Sequence, residues 1–402
     1  MLSVSEAQAL ILAEARSFGT EKIALAKSFG RVLAEDALAD RDYPPFNRST
    51  MDGYAIVAEK FAAQKEYPVQ RTVFAGDTPL LAHHLSRGQA EAIKIMTGAA
   101  VPKPFNAVIR REDASEADGL VKFAAGVVSA GHNISLQGED LTRGEKILLR
   151  GKLIDSATVS LLASLGQVRP QVARLPQVAI ISTGNEIIPP GKKPNPVQIR
   201  NANAFALQCQ LAQCGISRVK HIHVADEKKQ LGAAIKKFSR VDVLLMTGGV
   251  SAGDSDYVPE VLEKLKFKKI FHKVQMKPGK PLWFGRRGKT VVFAVPGNPY
   301  SAQVIFRIFI EPYLRFCSGI HSAPPLALPL AESRRKKDSL ENLFPVKIKT
   351  NTNSLPALAQ LPFNGSGDVR AALFSDGIAA HPAGQAELAA GSIVDFYPWR
   401  SI

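Results

Sequence analysis

Three loops hold most of the chain's capacity for chemistry. Thr183-Gly184-Asn185-Glu186, Thr247-Gly248-Gly249-Val250-Ser251-Ala252-Gly253-Asp254-Ser255-Asp256-Tyr257 and Pro296-Gly297-Asn298-Pro299 each follow an apolar run. Glycine-rich turns that enter helices expose backbone N–H groups, which cradle phosphate or a comparable oxyanion. One glycine after a strand is ordinary turn punctuation. Three such loops at successive strand ends mark out a candidate binding edge. None matches GxGxxG or GxxxxGK[ST], which demotes dinucleotide-binding and P-loop functions. Carboxylates accompany the loops: Glu186, Asp226, Asp254 and Asp256. Oxygen donors beside phosphate-binding amides suit Mg²⁺, which takes one or two carboxylates plus phosphate oxygens and keeps several waters. Lys273, Lys277 and Lys280 surround Met276-Lys277-Pro278-Gly279-Lys280-Pro281, where the prolines and glycine fix the loop and hold its lysines toward an anion. The histidines offer less. His221 and His223 share one face of a strand without a third ligand, and His83-His84 has no supporting pattern.

The elements that must position these groups alternate regularly. Apolar runs Val178–Ser182, His221–Val224, Val241–Met246 and Val291–Val295 are interleaved with helical stretches Ala204–Cys214, Lys228–Phe238, Val258–Lys266 and Tyr300–Phe316. Continuous apolar strands between helices predict an open α/β sheet with buried parallel strands, whose ligands bind beyond the carboxyl ends. Upstream, Tyr43 to Asp140 holds short β runs at Pro68–Phe74, Ala92–Met96, Ala107–Arg110 and Leu120–Phe123, a small β-rich domain. Ser5-Glu6-Ala7-Gln8 before Leu10, Ile11 and Ala15 predicts a capping box opening an amphipathic helix that closes near Gly19. A helical or mixed piece follows to about Asp40, and Ile154–Leu165 predicts another helix stopped by Gly166. After Ser322, short strands at Phe344–Lys349 and Ser392–Tyr397 predict a closing β domain.

With 402 residues, the chain is expected to form two to four domains, and 46% hydrophobic with 22% charged residues is a soluble composition. No apolar run approaches membrane-spanning length, and the start Met1-Leu2-Ser3 lacks a signal peptide's basic and apolar regions. Three cysteines, Cys209, Cys214 and Cys317, show no CxxC spacing, which argues for a reducing, cytoplasmic setting and against structural zinc. Net charge is +15, and residues 173–320 carry 23 Lys/Arg against 9 Asp/Glu, nearly the whole surplus. Such a segment suits an anionic ligand. It lacks the interleaved aromatics and motifs of a nucleic-acid binder.

The most distinctive stretch lies in the β-rich part: Pro44-Pro45-Phe46-Asn47-Arg48-Ser49-Thr50-Met51-Asp52-Gly53-Tyr54-Ala55. With it come Ile95-Met96-Thr97-Gly98-Ala99, Gly138-Glu139-Asp140, Ser182–Glu186, Asn203, Thr247–Val258, Met276–Pro281, Pro296–Pro299, Asn364-Gly365-Ser366-Gly367 and Arg370. In this order, over nearly the full length, the chain resembles the molybdopterin molybdenumtransferases, the bacterial MoeA and animal gephyrin E-domain family. The resemblance implies an α/β and β multidomain fold: a linking helical or mixed domain (1–42 and 141–172), a β-rich domain (43–140), a molybdopterin-binding α/β domain with a parallel sheet (173–320) and a small β-barrel-like C-terminal domain (321–402). It implies a homodimer whose site lies between the α/β domain of one subunit and the β-rich domain of the other. Molybdate would be inserted at the dithiolene of adenylylated molybdopterin, with magnesium bound and AMP released.

By motif position, Asp52, Thr97 and Asp140 would act from the β-rich domain, and Glu186, Asp226, Asp256, Lys273 and Lys277 from the α/β domain. Glu186, Asp226 and Asp256 would hold the metal. Thr183, Gly184, Asn203, Gly248, Gly249, Ser251, Lys280, Pro296, Gly297, Asn298 and Ser366 would bind the pterin nucleotide. Implied partners are a molybdopterin adenylyltransferase and recipient molybdoenzymes, with no membrane or nucleic acid. Two departures bear on anion capture: Ser135-Leu136-Gln137 precedes Gly138 where the family commonly has arginine, and the usual arginine is absent near Ser339-Leu340. The alternatives are an adenylyltransferase-like relative, which shares the TGG and PGNP loops without needing MDGYA, and a scaffold of the same fold.

Overall fold

The computed structural model describes residues 1–78, 91–124, 126–250, 256–320, 324–350 and 355–400. The chain divides into two compact units: Met1–Ala34, Arg150–Ser156 and Arg169–Ile402 in the first, Glu35–Leu149 and Ala157–Val168 in the second.

The second unit is built on a six-stranded sheet. Its order is Ala107–Arg110, Gly53–Ile56, Ala92–Ile95, Glu66–Val73, Leu120–Phe123 and Ala114–Ala117. Alternating apolar residues bury Tyr54, Ile56, Tyr67, Ile109 and Phe123 on one face and Ala55, Ile93, Ile95 and Val108 on the other. The Met51–Ala55 stretch supplies a strand with neighbours on both sides. Gly53 is required there, because a Cβ would stand 1.9 Å from the Ile109 carbonyl oxygen.

The first unit contains the α/β layer. Its sheet runs Val219–Val224, Val178–Thr183, Val243–Thr247, Thr290–Val295, Trp283–Arg287 and Lys268–His272. The first four strands are parallel and every residue of Val178–Thr183, Val243–Thr247 and Thr290–Val295 is buried. The last two strands are antiparallel and extend the expected parallel sheet at one edge. Helices Asn203–Gln213, Lys228–Lys237 and Val258–Lys264 agree with the expected stretches. The fourth is composite: Pro299–Ile305, a π-helical turn Phe306–Ile310, then Glu311–Cys317.

The N-terminal helix is Val4–Ala13, and its cap is Ser3, not Ser5. The Ser3 hydroxyl accepts from Glu6 N–H while Glu6 accepts from Ser3 N–H, so the box begins two residues earlier than expected. The C-terminal strands Leu326–Pro329, Glu341–Thr350, Pro356–Gln360, Gly377–His381 and Ile393–Pro398 form one sheet. A bridge between Leu330 and Leu358 joins its two ends, which is the basis of the barrel-like form. No helix is long and apolar enough to cross a membrane among the described residues.

Candidate functional site

The carboxyl ends of three parallel strands open into a cavity of about 690 Å³. Thr183, Gly184 and Glu186 enter it from the first loop, Thr247, Gly248, Gly249 and Asp256 from the second, and Pro296, Gly297 and Asn298 from the third. Asp226 comes from the end of the edge strand and Asn203 from the start of a helix. One wall thus gathers most of the expected α/β positions. Ser251 and Asp254, like His83 and His84, lie outside the described residues.

Side chains tie the loops to one another. Thr183 Oγ1 donates to Asp226 Oδ1, Asn185 N–H donates to Asp226 Oδ2 at 3.3 Å, and Asp226 N–H donates to Asn185 Oδ1 at 3.1 Å. Asn203 Nδ2 reaches Thr247 Oγ1 at 2.9 Å and the Gly297 carbonyl at 2.7 Å, spanning the second and third loops. Asn298 Nδ2 donates to Ser366 Oγ at 2.9 Å, bringing in the Asn364–Gly367 segment. Gly248 has φ +95°, and a Cβ there would meet the Thr183 carbonyl oxygen at 2.4 Å. Only glycine lets the two loops approach so closely.

A polar network backs this wall. Buried Ser182 accepts from Asn201 Nδ2 at 2.8 Å, and the Asn201 side-chain Oδ1 accepts from Ala204 N–H at 3.2 Å. His221 Nε2 and His223 Nδ1 stand 3.0 and 3.3 Å from the same Ser182 hydroxyl. Burial lowers the His221 pKa, with His223 adding a smaller effect in the same direction. The two histidines therefore share a face, as the strand pattern requires, and serve a hydrogen-bond network.

The lysines stand apart from the cavity lining. Lys277 is exposed and pairs with Asp338 at 3.2 Å, which is itself anchored by Asn342 Nδ2 at 2.7 Å. Lys273 is held at φ +75°, a conformation that non-glycine residues seldom occupy. Lys280 is exposed beside Gly279. One cation that pattern reasoning passed over does line the cavity: Arg200, at the end of the loop between Ile187-Ile188 and Ile199-Arg200.

The β-rich unit assembles its own polar group. Asp52 Oδ1 accepts both the backbone N–H and the hydroxyl of Thr97, each at 2.7 Å. These two bonds hold the Asp52 pKa below the usual carboxylate range. Asp140 N–H donates to the Tyr43 carbonyl at 2.9 Å, and Gly138 N–H to the Pro44 carbonyl at 3.0 Å, so the Gly-Glu-Asp turn is stitched to the double-proline stretch. Ser135, where the family commonly has arginine, donates to Glu139, whose pKa is lowered chiefly by that bond. Among the described residues no group of three or more His, Cys, Asp or Glu is placed to hold a metal unaided.

Residues 2–166 match the MoeA N-terminal region (domain I and II), residues 179–315 a probable molybdopterin binding domain, and residues 327–399 the MoeA C-terminal region (domain IV). A molybdopterin molybdenumtransferase from Synechocystis sp. is 34% identical over 405 residues, covering 99% of this chain and 100% of that protein. One from Bacillus subtilis is 35% identical over 301 residues, covering 74% and 70%. The crystal structure of a molybdopterin biosynthesis MoeA protein from Pyrococcus horikoshii superposes with a TM-score of 0.85 at 28% identity, covering 100% of both chains. With motifs, fold and full-length relatives in agreement, the chain belongs to the molybdopterin molybdenumtransferase family.

Proposed function

We propose that this chain inserts molybdate into adenylylated molybdopterin, releasing AMP and yielding molybdenum cofactor. The observation that carries the reading is the convergence of three glycine-bearing strand ends and three carboxylates on one cavity. Such a cavity offers fixed backbone donors for phosphate oxygens and oxygen ligands for a hard cation.

The donor set fits magnesium. Glu186, Asp226 and Asp256 line the cavity, and an ion held by these carboxylates would take its remaining ligands from substrate phosphate and water. Held by Glu186, Asp226 and Asp256, magnesium would supply positive charge to offset that of the substrate phosphate. The protein's part is to orient. Asn203 fixes the second and third loops against each other, Thr183 and Asn185 fix Asp226, and Asn298 with Ser366 closes the far side. Lys273, Lys277 and Lys280 serve anion capture, with the positive φ of Lys273 as support for a functional constraint at that position.

Asp52, Thr97 and Asp140 form the second half of the reading, as the family resemblance implies: in a homodimer they act on the ligand held by the partner's α/β loops. The four-part domain division, the cytoplasmic setting and exchange with an adenylyltransferase and recipient molybdoenzymes belong to the same proposal. The direct test supplies adenylylated molybdopterin, molybdate and Mg²⁺ and follows AMP. Release no faster than that of Asp256→Asn would overturn the assignment.

A further inference from the structure

The cavity presents an electrostatic imbalance. Three carboxylates, Glu186, Asp226 and Asp256, line it, yet the surrounding segment is strongly basic and the proposed ligand is an anion. Among the described residues a single cation shares that lining, Arg200. The lysines of the 273–280 loop and Lys192 and Lys193 do not.

Arg200 is set in place from two directions. Its backbone lies in the short parallel pairing of Ile187-Ile188 with Ile199-Arg200, which closes the base of a proline-rich loop. Its Nε donates to the Lys192 carbonyl at 3.3 Å across that loop. The next residue, Asn201, is buried and tied to Ser182 Oγ at 2.8 Å, so the chain cannot slide along the wall. A guanidinium carries five N–H donors in a planar fork. With Nε committed, the four donors on the two terminal nitrogens have no protein partner among the described residues, and this is the face that matches a tetrahedral oxyanion in bidentate fashion.

We propose that Arg200 is the cationic contact of this cavity, binding a tetrahedral oxyanion, either the phosphoryl group of the pterin nucleotide or molybdate itself. This rests on the reading of the cavity as the adenylylated pterin site. Arg200 lies outside the positions that the family motifs single out, and its exposure makes its replacement compatible with an intact fold.

The test is calorimetric titration of the full-length protein with AMP, inorganic molybdate and inorganic phosphate in turn, in the presence of Mg²⁺, for the wild type, Arg200→Gln and Arg200→Lys. Loss of a charged hydrogen bond predicts that Arg200→Gln weakens at least one of these anions by about tenfold or more. Arg200→Lys should recover part of the loss, since it restores charge without the fork. An effect on AMP and phosphate but not molybdate assigns the contact to the phosphoryl group, and the reverse assigns it to the metal oxyanion. Equal affinities for all three anions in wild type and Arg200→Gln would overturn the proposal, as would a wild type that binds none of them. AMP release measured alongside keeps the two readings apart. Wild-type turnover with unchanged binding in Arg200→Gln sinks the role of Arg200 alone, whereas Arg200-dependent binding without any turnover sinks the transferase reading and leaves the contact standing.

Discussion

Asp52 and Thr97, forty-five residues apart, meet through a single atom: Asp52 Oδ1 receives both Thr97 donors at 2.7 Å. Replacing Thr97 by Val removes the hydroxyl and keeps the backbone bond. The Asp52 carboxyl is then expected to titrate at higher pH than in the wild type, because one of the two bonds favouring its charged form is gone. The sign follows from linkage. A depressed carboxylate pKa stabilises the fold above the unfolded value, and that stability is lost as pH falls through the folded pKa. Thr97→Val should therefore shift the acid limb of activity upward, and carbonyl-resolved NMR titration of Asp52 should show the same direction. An unmoved Asp52 titration would show that the hydroxyl contributes nothing.

Gly248 makes a sharper prediction. A Cβ would lie 2.4 Å from the Thr183 backbone oxygen, and φ is +95°. Gly248→Ala should cost at least about 1–3 kcal/mol of stability from backbone strain alone. Because the loops must part to relieve the clash, ligand affinity at the cavity should fall as well. Urea denaturation and AMP titration on the same sample check both; full stability with full affinity would mean that the loop adapts.

Charge roles in the α/β unit separate by position. Asp256 lines the cavity, whereas Lys277 is engaged by Asp338. Asp256→Asn should leave pterin binding largely intact while turnover loses its magnesium dependence. Lys277→Ala should weaken binding of the anionic substrates by about 1–3 kcal/mol, the scale of one charged hydrogen bond. Binding and AMP release across a magnesium series distinguish these outcomes, and the reverse pattern would exchange the two roles.

The proposed sharing of the site between two subunits predicts complementation. Mixing an Asp52→Ala subunit with an Asp256→Ala subunit should restore partial turnover through one intact site in the heterodimer. Verified heterodimers with no recovered activity would rule out sharing between subunits.

Charge compensation for Ser135 can be tested at one arginine. Arg110 is paired with Asp113 at 3.0 Å, while the charge of Arg111 acts on Asp52. Arg111→Ala should raise the molybdate concentration needed for half-maximal turnover, and an unchanged dependence would place the compensating charge elsewhere.

Much of this arrangement was legible in the sequence for definite reasons. Buried parallel strands are continuous apolar runs, so Val178–Thr183 and Thr290–Val295 stand out. Lys268–His272, the edge strand, carries exposed lysines, and Trp283–Arg287 beside it ends in two half-buried arginines, so their pattern is correspondingly weak. The strand Gly53–Ile56 was hidden inside a motif whose glycine is needed by the neighbouring Ile109 carbonyl, a requirement only the fold reveals. At the site, glycines and carboxylates announced themselves by spacing. Arg200 did not, since one arginine after a proline-rich loop has no pattern until its neighbours in space are known. Nor could spacing tell that Asp338, sixty-one residues away, would pair with Lys277.

The hydroxyl of Ser182 has one proton to give and two lone pairs to offer. Asn201 takes one lone pair, with its amide orientation set by Ala204 N–H on the other end. Two imidazole nitrogens compete for what remains, so one must face the oxygen with a proton and the other without. His221 and His223 are thereby obliged to hold unlike protonation patterns at that oxygen, a pairing satisfied only while at least one ring is neutral. A proton on both facing nitrogens would bring three donors to two lone pairs, so one of the three contacts would be lost. The tautomers of two imidazoles are thus coupled through one oxygen atom, and that atom belongs to a residue that itself lines the cavity.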